Sequence, residues 1–268
     1  MKDKFILGRY LPIDSFFHSL DPRAKFIFVF FFIILIFFAH SVGTYLWIFS
    51  LILLAIRLAR IHIIYIIKGL TPLWIFLILT FLMHMFLTKG GKELIHIGFL
   101  TVDTHGIEEG IYIALRLLFI MCASTILTLA TSPLDLTHAF ERLLAPFRYV
   151  KVPVQQLSLM MAIALRFIPT LMEEMDKIIL AQKSRGSEMS SGNLWQRLKA
   201  FVPILIPIFI SAFQRAEDLA IAMEVRGYEV GVERTNYRHL NWKLKDTLFL
   251  LSIIPISLVL LLLKYLGV

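Results

Sequence analysis

Charged side chains are scarce in this sequence. They make up only 17% of its 268 residues, whereas 58% are hydrophobic. A soluble domain has about 25% charged residues and roughly 45–50% apolar ones. The composition therefore excludes a soluble globular protein and a disordered one. It also argues against a transmembrane β-barrel, whose strands alternate apolar and polar residues. What remains is an all-α membrane protein with several spans of about 20 residues each.

Groups that carry chemistry are also few. The one cysteine, Cys122, lies in an apolar run and is expected to be a small buried hydrophobe. The sequence has no phosphate-binding loop of the form Gly-x-x-x-x-Gly-Lys-Ser/Thr, no His-Glu-x-x-His and no Cys-x-x-Cys. We therefore expect no ATPase site, no metal site and no cofactor bound by this chain. The first 25 residues contain three aspartates and do not resemble a signal peptide.

Five apolar segments are predicted to span the membrane. They cover residues 26–43, 44–60, 68–88, 107–130 and 246–266. Lysine and arginine are distributed unevenly around them: residues 1–25 contain five, 57–68 contain three and 131–245 contain fifteen, whereas the loop 89–106 contains two. By the positive-inside rule, the N-terminus and residues 131–245 are cytoplasmic and the C-terminus is outside. The predicted domains are a membrane domain at 1–130, a cytoplasmic-side domain at 131–245 and a final span at 246–268.

The segment 131–245 is both basic and apolar. Its longest apolar run, 201–213, is too short to cross about 30 Å of hydrocarbon, and Pro203 and Pro207 are expected to break the helix there. We interpret the segment as long amphipathic helices at the cytoplasmic membrane surface. Two further spans are the alternative, but Arg166, Pro169 and the charge cluster 173–177 argue against them.

Two stretches within this segment match at an offset of 41 residues. One contains Arg185-Gly186 and the other Arg226-Gly227, each preceded by aliphatic residues and followed by a glutamate. The glycine suits the residue after a helix end, where the backbone is left-handed, and an arginine there complements the helix dipole. The pair predicts either two helices that simply end alike or two equivalent docking sites, in which each arginine enters a carboxylate pocket on a similar partner.

The chain resembles the transmembrane T components of energy-coupling factor (ECF) transporters over essentially its whole length. One matching motif is Asp14-Ser15, followed by Leu20-Asp21-Pro22-Arg23 before the first span. The other is the pair of arginine motifs, which consist of Ser184, Arg185 and Gly186 and of Val225, Arg226 and Gly227. The family usually has alanine in the first position of each motif, so both copies depart there.

The resemblance implies a role without catalysis. A T component bridges two cytoplasmic ABC-type ATPases, here expected to form a heterodimer, and a membrane-embedded S component that binds the transported vitamin. ATP and Mg²⁺ bind to the ATPases, and Arg185 and Arg226 would each dock on one of them. Residues from the Phe- and Met-rich stretches of the coupling helices would contact the S component; the candidates are Leu157, Met160, Met161, Phe201, Ile204 and Phe209. The lipid bilayer is the other partner, and nucleic acid is not one.

The expected location is the plasma membrane of a prokaryote. Two alternatives remain open: a T component dedicated to one cobalt, nickel or biotin system, and a self-contained carrier. A carrier would predict inverted repeats of spans and a polar site at mid-membrane, whereas the repeat found here lies in the cytoplasmic segment.

Two polar residues lie at membrane depth, and a glycine pair lies near the end of one span. Arg116 is expected to find a partner such as Glu109, to snorkel, or to steer the S component. His84 is expected to be a hydrogen-bonded interior histidine rather than a ligand. Gly106 and Gly110 have the spacing of a helix-packing motif but lie at a span end, which makes them a weak signal.

Overall fold

The computed structural model describes residues 11, 13–97, 100–146, 153–186, 194–229 and 242–267. These residues are almost entirely helical, as predicted. The helices are α1 (Pro22–Phe37), α2 (Val42–Ala59), α3 (Ile63–Leu70), α4 (Trp74–Leu87), α5 (Thr104–Ala130), α6 (Pro133–Leu143), α7 (Val154–Ser184), α8 (Leu194–Val225), α9 (Leu244–Leu251) and α10 (Ile253–Tyr265). A 3₁₀ turn at Thr71–Leu73 joins α3 to α4. An antiparallel hairpin, β1 (Glu93–Ile97) and β2 (Leu100–Asp103), occupies the loop before α5 and was not predicted.

Within the described part of the chain, five helical segments are long and apolar enough to cross a membrane. They are Val42–Ala59, Ile63–Leu87, Thr104–Ala130, Val154–Ser184 and Leu244–Tyr265. Four of them correspond to predicted spans. The predicted first span is the helix α1, which has only 16 residues and so covers about 24 Å. The long helix α7 meets the length and composition criteria instead, so the assignment of 131–245 to the membrane surface stays a prediction.

The start of α1 follows directly from its sequence. Asp21 is the N-cap, and its carboxylate accepts the backbone N–H of Arg23 at 2.9 Å. Pro22 occupies the first turn, where its missing N–H costs nothing. The Asp-Pro-Arg motif therefore begins a helix, as its residue types predict.

The chain divides into two compact units, residues 1–143 with 240–268 and residues 144–239. In the first unit, α5 is the central helix and packs against α1, α2, α3 and α4. Its core includes the buried side chains of Ile36, Ile48, Phe119 and Cys122, and the burial of Cys122 agrees with the prediction. The helix α6 belongs to this unit as well, and its Phe140 packs edge-on against Phe26 of α1, with ring centroids 4.8 Å apart.

Two glycines bring α4 and α5 into close contact. A Cβ atom at Gly106 would lie 2.7 Å from the carbonyl oxygen of Thr88, and one at Gly110 would lie 3.2 Å from that of Phe81. The weak Gly-x-x-x-Gly signal thus marks a real packing contact. At the same end of α4, the Nδ1 atom of His84 lies 3.2 Å from the Thr88 hydroxyl. His84 is therefore a hydrogen-bonded histidine inside the bundle, as expected.

Arg116 of α5 finds its partners at the end of α1. Its Nη2 atom donates to the carbonyl oxygen of Ala39 at 3.3 Å, and its guanidinium lies over the Phe37 ring at 5.6 Å. The carbonyl groups that follow a helix carry partial negative charge, so this contact stabilises the arginine. It supports the structural interpretation of Arg116 and offers a different partner from Glu109.

In the second unit, α7 and α8 pack against each other. Both helices run through their prolines: Pro169 lies inside α7, and Pro203 and Pro207 lie inside α8. The expectation that Pro203 and Pro207 break the helix is therefore wrong, and Pro169 does not end α7. Each proline removes only one backbone hydrogen bond, and the neighbouring turns hold the remaining ones.

Candidate functional site

The first arginine motif forms the C-terminal end of α7. Arg185 is the C-cap residue, and its backbone N–H lies 3.2 Å from the carbonyl oxygens of both Ala181 and Gln182. Gly186 follows with a φ of 78°, and its N–H donates to the carbonyl of Lys183 at 3.0 Å. The left-handed backbone at this glycine is the one that the sequence predicts.

The second motif forms the end of α8 in the same way. Gly227 has a φ of 74°, and its N–H donates to the carbonyl of Glu224 at 2.8 Å. The N–H of Tyr228 donates to the carbonyl of Met223 at 2.9 Å. Together these two bonds are a Schellman motif, which satisfies carbonyl groups left open at a helix end. The two copies of the sequence repeat are therefore also copies in structure.

Both helix ends, 184–186 and 225–227, are exposed. Val225 has 83% of its surface accessible, and a Cβ atom at either glycine would meet nothing within 4 Å. Within the described part of the chain, neither Arg185 nor Arg226 has an ion-pair partner. An exposed guanidinium at the negative end of a helix dipole can approach a carboxylate with two parallel hydrogen bonds.

A polar cluster around Glu174 connects α7 to α8. The Ser211 hydroxyl donates to Glu174 Oε2 at 2.7 Å, and the Arg215 guanidinium pairs with Glu174 Oε1. The side chains of Glu174 and Arg215 are 23% and 34% exposed. The Nε–H group of Arg215 is buried and has no acceptor among the described residues. A polar cluster of this kind fixes which residues of the two helices face each other.

This cluster lies at equivalent positions of the repeat. Glu174 and Arg215 are 41 residues apart, which is the offset that relates Arg185 to Arg226. Arg185 therefore lies eleven residues after Glu174, and Arg226 lies eleven residues after Arg215. Each distance is about 16 Å along the helix axis. The two helices reach equally far from their contact to their exposed ends. The sequence contains both residues, but their pairing follows only from the structure.

The apolar candidates for a membrane partner are mostly at the surface. Five of the six are exposed, by 45% to 60%: Leu157, Met160, Met161, Phe201 and Phe209. Ile204, in contrast, is only 3% exposed and so offers little surface to a partner; its contact with an S component stays a prediction. Hydropathy gives the same value to the buried and the exposed positions of an apolar run, which is why the sequence did not separate them.

No metal centre competes with this site in the described ranges, which contain no group of three His, Cys, Asp or Glu side chains able to hold an ion. Gly90 and Gly91 follow α4 and have a structural role. The N–H of Gly90 donates to the Asp103 carboxylate at 2.8 Å, beside the hairpin.

Comparison with known proteins agrees with the resemblance seen in the motifs. The profile of the CbiQ family, described as cobalt transport protein, matches residues 14–237. Three relatives carry the name energy-coupling factor transporter transmembrane protein EcfT. The one from Staphylococcus aureus is 64% identical over all of both chains. Those from Macrococcus caseolyticus and Bacillus subtilis are 51% and 44% identical, and each alignment covers 98% of this chain and 100% of the relative.

Family, relatives and apolar helices thus give one answer. The chain belongs to the CbiQ family, among the energy-coupling factor transporter transmembrane proteins of bacterial membranes.

Proposed function

We propose that this chain couples ATP hydrolysis by two ABC ATPases to movement of a membrane-embedded S component during vitamin uptake. Arg185 and Arg226 each dock on one ATPase subunit. The observation that carries the proposal is the pair of exposed arginine-glycine helix ends, equally far from the cluster that joins Glu174 to Arg215. Two equivalent ends suit a partner made of two similar subunits.

The polar cluster between α7 and α8 explains how movement could pass from one helix to the other. If the ATPase dimer closes on ATP, the two docked helix ends move together. Because Glu174, Ser211 and Arg215 hold α7 and α8 at equivalent positions, the movement of one end changes the angle of both helices. The exposed apolar residues Leu157, Met160, Met161, Phe201 and Phe209 then pass that movement to the S component. Methionine and phenylalanine suit a contact that must release and form again.

The docking experiment compares two double variants of equal charge change. In Arg185→Glu/Arg226→Glu, both guanidinium groups become carboxylates. The control, Lys177→Glu/Lys199→Glu, reverses one exposed charge on each helix away from its end. We expect the arginine variant to lose at least tenfold in recovery of the ATPases by affinity purification, and the control to recover them fully. Equal recovery by wild type and the arginine variant would show that the docking assignment is wrong.

The energy source belongs to the partners. We propose that ATP and Mg²⁺ bind to the ATPases, that this chain has no ATPase site and binds no cofactor, and that its N-terminus is cytoplasmic. A cysteine label that reaches residue 2 only from the inside of sealed membranes would support the orientation. A label that reaches it from outside would reverse it.

We further propose that the chain serves several S components. The description of the matching family, cobalt transport protein, favours a second candidate, namely a dedicated unit of one uptake system. Purification of the tagged chain from its native membrane, followed by mass spectrometry, separates the two. Several small membrane partners indicate a shared unit, and one constant partner indicates a dedicated unit. The chain alone, under conditions that preserve membrane complexes, would favour a self-contained carrier.

A further inference from the structure

The first unit contains an apolar groove that the coupling function does not use. It has a volume of about 610 Å³ and lies between α1, α2, α9 and α10, with α5 behind it. Its lining includes Phe28, Phe32, Leu51, Ala123, Phe249 and Ile256. Leu54 and Leu248 also line it and are 53% and 59% exposed. The groove is therefore open to the hydrocarbon of the membrane.

The length of the groove matches one leaflet. Along α2 its lining runs from Trp47 to Leu58, and along α9 and α10 it runs from Lys245 to Val259. These spans of eleven and fourteen residues are about 16 and 21 Å long at the rise of an α-helix. One leaflet contributes half of the hydrocarbon thickness of about 30 Å. An extended acyl chain of a single leaflet therefore fits the groove from end to end.

A polar pocket of about 540 Å³ adjoins one end of the groove. It is lined by Asp14, Ser15, His18, Ser19 and Arg60, and Phe16 lines both cavities. The Lys245 amine, which lines the groove, donates to the carbonyl and hydroxyl oxygens of Ser19 at 2.5 and 2.8 Å. The pocket lies where α2 ends and where α1 and α9 begin, which is one face of the bundle.

The junction of the pocket and the groove has a net positive charge. Arg60 of the pocket and Lys245 of the groove each contribute one positive charge, and Asp14 of the pocket contributes one negative charge. Burial, and next the nearby Lys25, lower the pKa of His18 below its usual 6.5, so His18 is neutral at pH 7. Arg57, exposed one helical turn before Arg60, adds further positive potential.

We propose that the groove and the pocket together bind one phospholipid with an anionic headgroup. The acyl chain lies in the groove, and the phosphate lies beside Arg60 and Lys245. A basic pocket lies at one end of a groove as long as one leaflet. This arrangement favours a lipid over an apolar helix of a partner protein, because such a helix has no anionic group at that depth. Basic pockets between spans are known sites for anionic lipid headgroups.

The test uses Trp47, which lines the groove. Replacement of Trp74, Trp195 and Trp242 by phenylalanine leaves it as the only tryptophan, which is excited selectively at roughly 295 nm or above, beyond tyrosine absorption. The full chain is placed in phosphatidylcholine vesicles that contain phosphatidylglycerol or phosphatidylcholine with brominated acyl chains, which quench tryptophan on contact. We expect brominated phosphatidylglycerol to quench with about fivefold higher apparent affinity, the size expected for one net basic charge near the membrane surface.

Variants of the pocket assign the preference. Arg60→Gln and Lys245→Gln should each remove most of it, whereas Asp14→Asn should increase it. Lys264→Gln is the matched control, because Lys264 is exposed at the opposite end of α10 and lies over Phe38. Equal quenching by the two lipids, or a preference that Lys264→Gln removes as effectively as Arg60→Gln, would overturn the proposal.

A groove-filling variant keeps the charges intact. Ala55→Phe places a ring in the groove and should abolish the preference without a change in the pocket. Native mass spectrometry of the unmodified chain provides an independent measurement, in which one phosphatidylglycerol should stay bound where phosphatidylcholine dissociates. Absence of a bound lipid there, together with unquenched Trp47, would show that protein rather than lipid fills the groove.

Discussion

The carboxylate of Asp246, at the start of the last membrane helix, accepts the backbone N–H of Asp21 at 2.8 Å. The two residues are 225 positions apart. The other oxygen of Asp246 accepts the N–H of Lys243, also at 2.8 Å, and the residue is only 1% exposed. One buried side chain thus caps α9 and fixes the N-cap residue of α1, so that the starts of these two helices are held together at one face of the bundle.

Replacement of Asp246 by alanine should therefore destabilise the membrane unit. It leaves the buried N–H of Asp21 without its acceptor, which costs about 1–3 kcal/mol, and it also removes the acceptor of the partly buried N–H of Lys243. Asp246→Asn keeps one carbonyl acceptor and should lose less. The measurement is the midpoint of thermal unfolding in mild detergent, with Asp218→Ala on the exposed surface of α8 as the control. Equal midpoints for wild type and Asp246→Ala would contradict this role.

Arg23→Ala should reduce folding or stability rather than transport. The Arg23 guanidinium donates to both oxygens of Asp21, at 3.0 and 2.9 Å, and lies over the Trp242 ring at 5.5 Å. These contacts support the start of α1. We expect a lower unfolding midpoint and less protein in the membrane, with unchanged transport per folded molecule. Normal expression with abolished transport would assign Arg23 a functional role instead.

The local features of the fold follow from short sequence signals. The start of α1 at Asp21-Pro22-Arg23 and the left-handed ends at Gly186 and Gly227 depend on residues within one helical turn. Such structure is set by the backbone preferences of a few neighbouring residues, so the sequence alone predicts it.

The longer-range features do not follow in this way. The pairing of Glu174 with Arg215 depends on the register between two helices, and the burial of Ile204 depends on which side of α8 is covered. Neither is a property of composition. Pro203 and Pro207 stay inside α8 for a related reason, because tertiary packing outweighs the lost hydrogen bonds. The tight contact at Gly106 was undervalued because a glycine pattern reports packing only once the facing helix is known.

Gly106→Ala should be strongly destabilising. The added Cβ atom would lie 2.7 Å from the backbone oxygen of Thr88 and 3.1 Å from those of His84 and Met85. Backbone atoms cannot rotate away, so α4 and α5 must separate, at a cost of about 1–3 kcal/mol. Gly110→Ala, with its nearest contacts at 3.2 Å, should cost less. Thermal unfolding in detergent measures both, and the opposite order would contradict the contact.

Gly186→Ala and Gly227→Ala should have only local effects. Their φ angles of 78° and 74° strain an L-residue, but no atom lies within 4 Å of the added Cβ. The expected cost is about 1–2 kcal/mol per site, expressed as fraying of the last helical turn. Hydrogen exchange should rise in the turn before each glycine, while the global unfolding midpoint stays unchanged. Asparagine, which tolerates the left-handed region better, should restore protection; if alanine and asparagine exchange alike, the backbone explanation is wrong.

The Glu174–Arg215 pair is open to a double-mutant cycle. Glu174→Ala and Arg215→Ala each remove the ion pair, and Arg215→Ala also removes the buried Nε–H group that lacks an acceptor. For a partly exposed pair we expect a coupling energy of about 1 kcal/mol in the free energy of unfolding.

If the pair transmits motion between the arginine motifs, each single variant should also hydrolyse more ATP per vitamin transported. The charge-swapped variant Glu174→Arg/Arg215→Glu should restore part of that ratio, because it keeps the cross-link at the same positions. An unchanged ratio in all three variants would leave the pair with a purely structural role.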